Sequence, residues 1–157
     1  MFESLSPMAE APRILIVTSR YYAHITAELE AGVTEGLEKV GAKYEFLEVP
    51  GAFEIPAAIA MAAGTGEWDG FVALGCVIRG ETSHYDLITN HVARALMELS
   101  ISGVPLGFGV LTVENEAQAR VRADRKQKNK GAEVVAAVLR MVGLSYRFNK
   151  LIEDGDE

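Results

Sequence analysis

Four runs of apolar and β-branched residues divide the chain: Arg13 to Thr18 (RILIVT), Lys43 to Val49 (KYEFLEV), Gly70 to Ile78 (GFVALGCVI) and Val104 to Val113 (VPLGFGVLTV). The first and third are the pattern of strands buried on both faces, and the second alternates. Between them the apolar period changes to that of a helix. Ile25, Leu29, Val33, Leu37 and Val40, with Gly32 and Gly36 among them, recur at helical spacing before Gly41. Ala52 to Ala63 is alanine-rich, with Pro56 near its start where proline is tolerated, and Gly64-Thr65-Gly66 ends it. Ser83 and Asp86 predict a capping box for a helix whose apolar face is Leu87, Ile88, Val92, Ala95, Leu96 and Leu99, closed by Gly103. Glu114-Asn115 starts a helix to about Ala123. After a basic loop at 125–130, a last helix from Gly131 buries Val134, Val135, Val138, Leu139 and Val142. The tail Glu153 to Glu157 is acidic and reads as solvated. Residues 1–12 carry no core pattern of their own and read as a flexible arm, or as a strand that needs a neighbour.

Strands alternating with helices predict βαβ units, a parallel sheet and helices on both faces. Ligands of such sheets bind at the carboxyl ends of the strands. That edge collects Ser19 to Tyr22, Pro50 to Glu54, Arg79 to His84 and Glu114-Asn115.

Composition narrows the class. A chain of 157 residues with 49% apolar content fits one domain with a sizeable core. A net charge of −7 argues against nucleic acid as the main partner. No apolar run approaches a membrane span, and the N-terminus lacks the basic start and apolar stretch of a secretory signal, so a cytoplasmic protein is expected. The one cysteine, Cys76, excludes an internal disulfide and reads first as a small buried residue.

Candidate chemistry gathers at Gly80 to His84. A helix mouth offers unpaired N–H groups and a dipole to an anion, so Gly80-Glu81-Thr82 is a candidate phosphate cradle. The alternative is an ordinary strand–turn–helix connection. His84, in the first helical turn, is a candidate general acid or base, or else a surface histidine at a helix start. His24 and His91 lack such company. Six cations fall in the eleven residues from Arg120 to Lys130, a source of counter-charge for an anion or a solvated loop. Glu54 can accept hydrogen bonds from a polyol or complement a helix dipole. Phe53, Tyr21 and Phe108 can stack on a flat heterocycle or pack in a core. No Cys/His set has metal-ligand spacing, and neither a Walker nor a dinucleotide glycine pattern is present.

Taken in order, these segments resemble one family, the lumazine synthases. Val49-Pro-Gly-Ala-Phe-Glu-Ile-Pro56 matches its VPGAFEIP motif, and Leu74 to Asp86 (LGCVIRGETSHYD) resembles its LGxVIRGxTxHYD motif. Leu111-Thr-Val-Glu-Asn115 and Asn129-Lys-Gly131 resemble its TxEN and NKG motifs. The matches run in order over roughly 13–145, which is far more specific than any one alone. The resemblance implies a flavodoxin-like three-layer αβα sandwich on a four-stranded parallel sheet. It implies an arm at 1–12 that pairs with a neighbouring subunit and a single domain over 13–157.

The implied reaction condenses 5-amino-6-(D-ribitylamino)uracil with 3,4-dihydroxy-2-butanone 4-phosphate. It yields 6,7-dimethyl-8-ribityllumazine, phosphate and water, with no metal or organic cofactor. Two small-molecule substrates, one phosphorylated, and a homopentamer with active sites between subunits are implied as partners. Carried over residue by residue, the resemblance assigns the pyrimidine and its ribityl chain to Tyr21, Ala52, Phe53, Glu54, Cys76, Val77 and Ile78. It assigns the phosphate to Glu81, Thr82 and Arg122, and proton transfer to His84. Phe108 matches an aromatic from the neighbouring subunit, and Lys130 and Glu133 match a lysine and an acid near the site.

Three departures stand out. The family often has Lys-Ala-Gly-Asn-Lys where this chain has Lys126-Gln-Lys-Asn-Lys130, a hinge that influences whether pentamers stop or assemble into shells. Tyr21-Tyr22 replaces a common Phe-Asn, and Cys76 stands where threonine is common. Two rival readings accompany the enzyme: a weakly catalytic paralogue that binds lumazine or riboflavin, and a shell-forming structural protein.

Overall fold

A computed structural model describes residues 11–155 as a four-stranded parallel sheet with helices on both faces. The strands are β1 (Arg13–Ser19), β2 (Lys43–Val49), β3 (Gly70–Ile78) and β4 (Leu106–Val113). Their order is β2-β1-β3-β4, and every pairing is parallel. The helices are α1 (Ala23–Lys39), α2 (Ile55–Ala63), α3 (His84–Ile101), α4 (Glu116–Ala123) and α5 (Lys130–Gly155), with a 3-10 turn at Ala52–Glu54 before α2. The expected pairing of residues 1–12 with a neighbour falls almost wholly outside the described residues.

The alternation along the inner strands explains the three layers. Ile14 and Ile16 of β1 and Val72 and Leu74 of β3 point into a core shared with α1, α4 and α5. Leu15 and Val17 of β1 and Phe71 and Ala73 of β3 point into a second core, against α2 and α3. Both faces are dry, which is why these strands are continuous apolar runs. Each large side chain removed from water contributes about 1.5–3 kcal/mol, so neither helix layer is dispensable.

Element boundaries follow local chemistry. Asn115 caps α4, its side chain accepting from the Gln118 amide at 2.9 Å. β4 starts at Leu106 and not at Val104, because Val104 and Pro105 lie in the turn after α3. The expected capping box at α3 does not form. Ser83 makes no side-chain cap bond, and Asp86 faces Arg79 at 3.4 Å. The His84 amide is satisfied by Thr82 Oγ1 at 3.3 Å. An arginine within reach outcompetes a backbone amide for the carboxylate.

The α1–α5 contact depends on two glycines. A Cβ on Gly131 would lie 2.8 Å from the Leu29 carbonyl oxygen and 2.9 Å from Gly32 Cα. Both neighbours are backbone and cannot rotate aside. Gly131→Ala is therefore expected to cost about 2 kcal/mol through forced separation of the helices. Urea denaturation would show a lower midpoint with an unchanged slope; an unchanged midpoint would contradict the close approach.

Candidate active site

A cavity of about 600 Å³ opens at the carboxyl ends of β1, β2 and β3. Tyr21, Ala52, Phe53, Glu54, Cys76, Val77, Ile78 and His84 all line it, joined by Ser19, Tyr22 and Ile88. Eight of the residues singled out in the sequence thus converge from four separate segments. The volume suits a ligand of small-molecule size, and the lining is mostly apolar with a few polar groups, the usual character of a small-molecule site.

Each segment is held by its own local bonds. After β1, Arg20 forks onto Glu30, with Nη2 at 2.7 Å and Nε at 3.0 Å, while Nη1 reaches Glu48 at 3.2 Å. The Thr26 hydroxyl, fully buried, donates to the Ser19 carbonyl at 3.1 Å. This pins the turn that presents Tyr21, whose ring meets Tyr22 edge-on at 5.1 Å. After β2, Gly51 is extended and the chain coils into the 3-10 turn that carries Phe53 and Glu54. Pro56 at the start of α2 lacks an N–H that the helix would leave unpaired in any case.

The segment after β3 is fastened by Arg79. Its amide donates to the Val113 carbonyl at 2.9 Å and its Nε meets Glu114 at 2.8 Å. Its guanidinium lies 4.3 Å over the Tyr85 ring. One side chain therefore ties the end of β4 to the first turn of α3, and His84 lies between the anchored points. Glu81 and Thr82 occupy the exposed turn before His84 and line neither of the cavities described here.

A second cavity, of about 340 Å³, lies along the outer strand β4 and the start of α5. It collects Phe108, Arg122, Lys130 and Glu133, with Val110, Leu111, Thr112 and Lys128. It shares no lining residue with the first. The residues expected to act together are thus divided between two concavities of one chain. The aromatic rings belonging to them are open: Tyr21 is 76%, Phe53 59% and Phe108 40% exposed.

The two cavities differ in charge. Glu54 and His84 are the only titratable acid and base of the first, beside Cys76 and the two tyrosines. Burial pushes the Cys76 thiol up to about 11, and the Glu116 carboxylate adds to the effect. Glu116 itself is held below the usual carboxylate range, first by its hydrogen bond with His24 and then by Arg120. The second cavity sets three cations against one carboxylate. Among the described residues, no group of three or more His, Cys, Asp or Glu is placed to hold a metal ion.

The family model described as 6,7-dimethyl-8-ribityllumazine synthase matches residues 11–145. This chain belongs to that family. A relative from Sphingopyxis alaskensis carrying the same description is 48% identical over 135 residues, covering 86% of this chain and 96% of the relative. One from Agrobacterium fabrum is 50% identical over 140 residues, covering 85% and 94%. One from Bartonella bacilliformis is 49% identical over 140 residues, covering 87% and 92%. Both cavities of this lumazine synthase family member lie inside the matched span.

Sequence reasoning gave no individual role to several contributors. Ser19, Tyr22 and Ile88 line the first cavity and Lys128 the second. Arg79 supplies the anchor of the His84 turn. Ile88 was legible only as a core position, because periodicity does not say which edge of a face stays open.

The Cys76 thiol supplies a direct check on the first cavity. At pH 8 the folded protein should hold roughly a hundredfold less thiolate than the unfolded chain, and an aromatic disulfide reagent should react correspondingly more slowly with it. The sign for stability follows. The folded thiol keeps its proton above 9.0, where an unfolded one loses it, so this group subtracts from stability as pH rises from there to about 11. Equal reaction rates for native and urea-unfolded protein would contradict a buried, protonated Cys76.

Proposed function

We propose that this chain condenses 5-amino-6-(D-ribitylamino)uracil with 3,4-dihydroxy-2-butanone 4-phosphate to give 6,7-dimethyl-8-ribityllumazine, phosphate and water, the penultimate step of riboflavin formation. The observation that carries the reading is the division of labour between the cavities within this family. One is the larger and is lined by Tyr21, Tyr22 and Phe53 with the His84 imidazole; the other is cationic.

In this reading the pyrimidine lies in the first cavity against Tyr21 and Phe53, with Val77 and Ile78 beneath it. Glu54 and the backbone at Ala52 receive the ring and ribityl hydroxyls, and Cys76 contributes a small wall. The phosphate end of the second substrate lies between the Glu81-Thr82 turn and Arg122. Holding two reactants in register supplies a large part of the rate. Amine attack on the ketone, Schiff-base formation, loss of phosphate and ring closure each move protons. His84 stands where it can take and return them. Arg122 and the amides at the start of α3 stabilise the departing anion.

In this reading the complete site is formed by two copies of the chain, which the placement of the cationic cavity on β4 and of the aromatic one at the ends of β1 to β3 supports. The aromatic cavity of one faces the Phe108, Arg122 and Lys130 cavity of the next, in a closed ring of five. Such a head-to-tail interface closes into a ring when the rotation fits. The ion pairs of Arg125 with Glu28 at 2.9 Å and Glu35 at 3.5 Å, and the two bonds that the Lys126 amide and Gln127 Nε2 donate to the Asp124 carboxylate, hold the start of the 126–130 hinge. This supports a pentamer that goes no further. The retention of His84, Arg122 and Lys130 at cavity walls supports turnover over mere flavin binding.

Steady-state assays with both substrates, following the lumazine chromophore, test the reading. His84→Ala should lower kcat roughly a hundredfold while pyrimidine binding is kept. Arg122→Ala should raise the KM of the phosphate substrate at least about tenfold and leave that of the pyrimidine unchanged. Absence of any lumazine product from the unaltered protein would overturn the reading; unchanged turnover in His84→Ala would remove that residue from the mechanism.

A further inference from the structure

We propose that Lys128 is a phosphate-recognition residue, a third cation at the anionic end of the active site. The proposal rests on the reading of the β4 cavity as the phosphate-bearing half of that site.

The charges of the basic run are unevenly committed. Arg120 pairs with Glu116 at 3.4 Å, and Arg125 with Glu28 and Glu35. Of the three cations in the cavity, Lys130 has Glu133 at 3.3 Å, and Arg122 spends Nη1 on the Gln118 carbonyl at 3.1 Å. Lys128 has no side-chain partner among the described residues, yet it lines the same cavity. Three cations against the single carboxylate of Glu133 leave an excess of two positive charges in about 340 Å³. The protein as a whole carries −7, so this concentration is local and runs against the sign of the whole. Like charges held together repel unless an anion fills the space between them. A phosphate monoester near neutral pH carries about −1.5 to −2, which matches the excess.

Backbone geometry puts Lys128 there. The Lys128 amide donates to the Val121 carbonyl at 3.1 Å, and the Asn129 amide to the Asp124 carbonyl at 3.0 Å. Asn129 then takes the left-handed conformation, with φ of 46°, one of the few side chains that tolerates it. This single reversal brings the residues on either side of Asn129, Lys128 and Lys130, to one cavity.

The test compares Lys128→Ala, Lys128→Gly and Lys128→Arg in the full chain, using steady-state kinetics with inorganic phosphate as the probe inhibitor. Removing the charge should raise both the KM of the phosphate substrate and the inhibition constant of inorganic phosphate roughly fivefold. The KM of the pyrimidine should stay fixed, Lys128→Arg should behave like the unaltered protein, and the difference should shrink as salt is added. Unchanged phosphate inhibition in Lys128→Ala, with Arg122→Ala impaired, overturns the proposal and leaves the reading of the cavity standing. No effect from Arg122→Ala either would remove the cavity from phosphate binding and the proposal with it. A changed oligomer mass by light scattering with unchanged phosphate inhibition would assign Lys128 to assembly, which also overturns it.

Discussion

The burial of β1 and β3 on both faces is the constraint on which the remaining structure depends. Their odd and even side chains feed two separate cores, so helices must cover both sides of the sheet. Parallel strands then return through crossovers, and all the strand-to-helix turns fall on one edge. Four of those turns carry the chemistry-bearing residues: Ser19 to Tyr22, Pro50 to Glu54, Arg79 to His84, and the start of α4. The site is in this sense a consequence of two apolar strands. Its residues are spread along the chain because each contributing turn ends a different strand.

Rigidity at that edge comes from arginines used as fasteners. Arg20 joins the turn after β1 to α1 and β2 through Glu30 and Glu48. Arg79 joins β4 to the first turn of α3 through Glu114, Tyr85 and Asp86. Arg125 joins the hinge before α5 to α1. All three are planar forks gripping more than one partner, which suits arginine and not lysine. The lysines of the same region make fewer such ties, Lys130 holding only Glu133 and Lys128 no side-chain partner among the described residues, and these two border the cationic cavity. Positioning and ligand attraction are thus divided between the two kinds of cation.

Much of this was legible in the sequence. Strand β2 falls within the bounds its apolar pattern predicts, and α4 and α5 start within two residues of theirs. β-branched runs and helical apolar stripes are strong signals because each reflects burial of a whole face. The end of α3 was read less well. The Ser83–Asp86 capping box was a sound local expectation, but Arg79 captured Asp86 from outside the helix, and local spacing cannot register a competitor seven residues away. The family motifs named most of the candidate site residues. They set Phe108 on a neighbouring subunit but did not say which other residues share its cavity, since spacing along a chain carries no information about which face of β4 stays open. Lys128 was read only as one of six cations that could serve an anion or stay solvated, and spacing could not say that it shares a cavity with Arg122 and Lys130.

The central claim is that each working site takes its aromatic half from one chain and its cationic half from the next. Mixing two impaired variants, assayed with the phosphate substrate well below its KM, tests it directly. His84→Ala spoils only the aromatic half, and Arg122→Ala only the cationic half. If they are unfolded together, refolded in equal amounts and assayed, about one interface in four should join two intact halves and recover that share of unaltered activity. Activity that stays at the level of the separate variants would contradict the account, and would mean that both halves of each site belong to one chain.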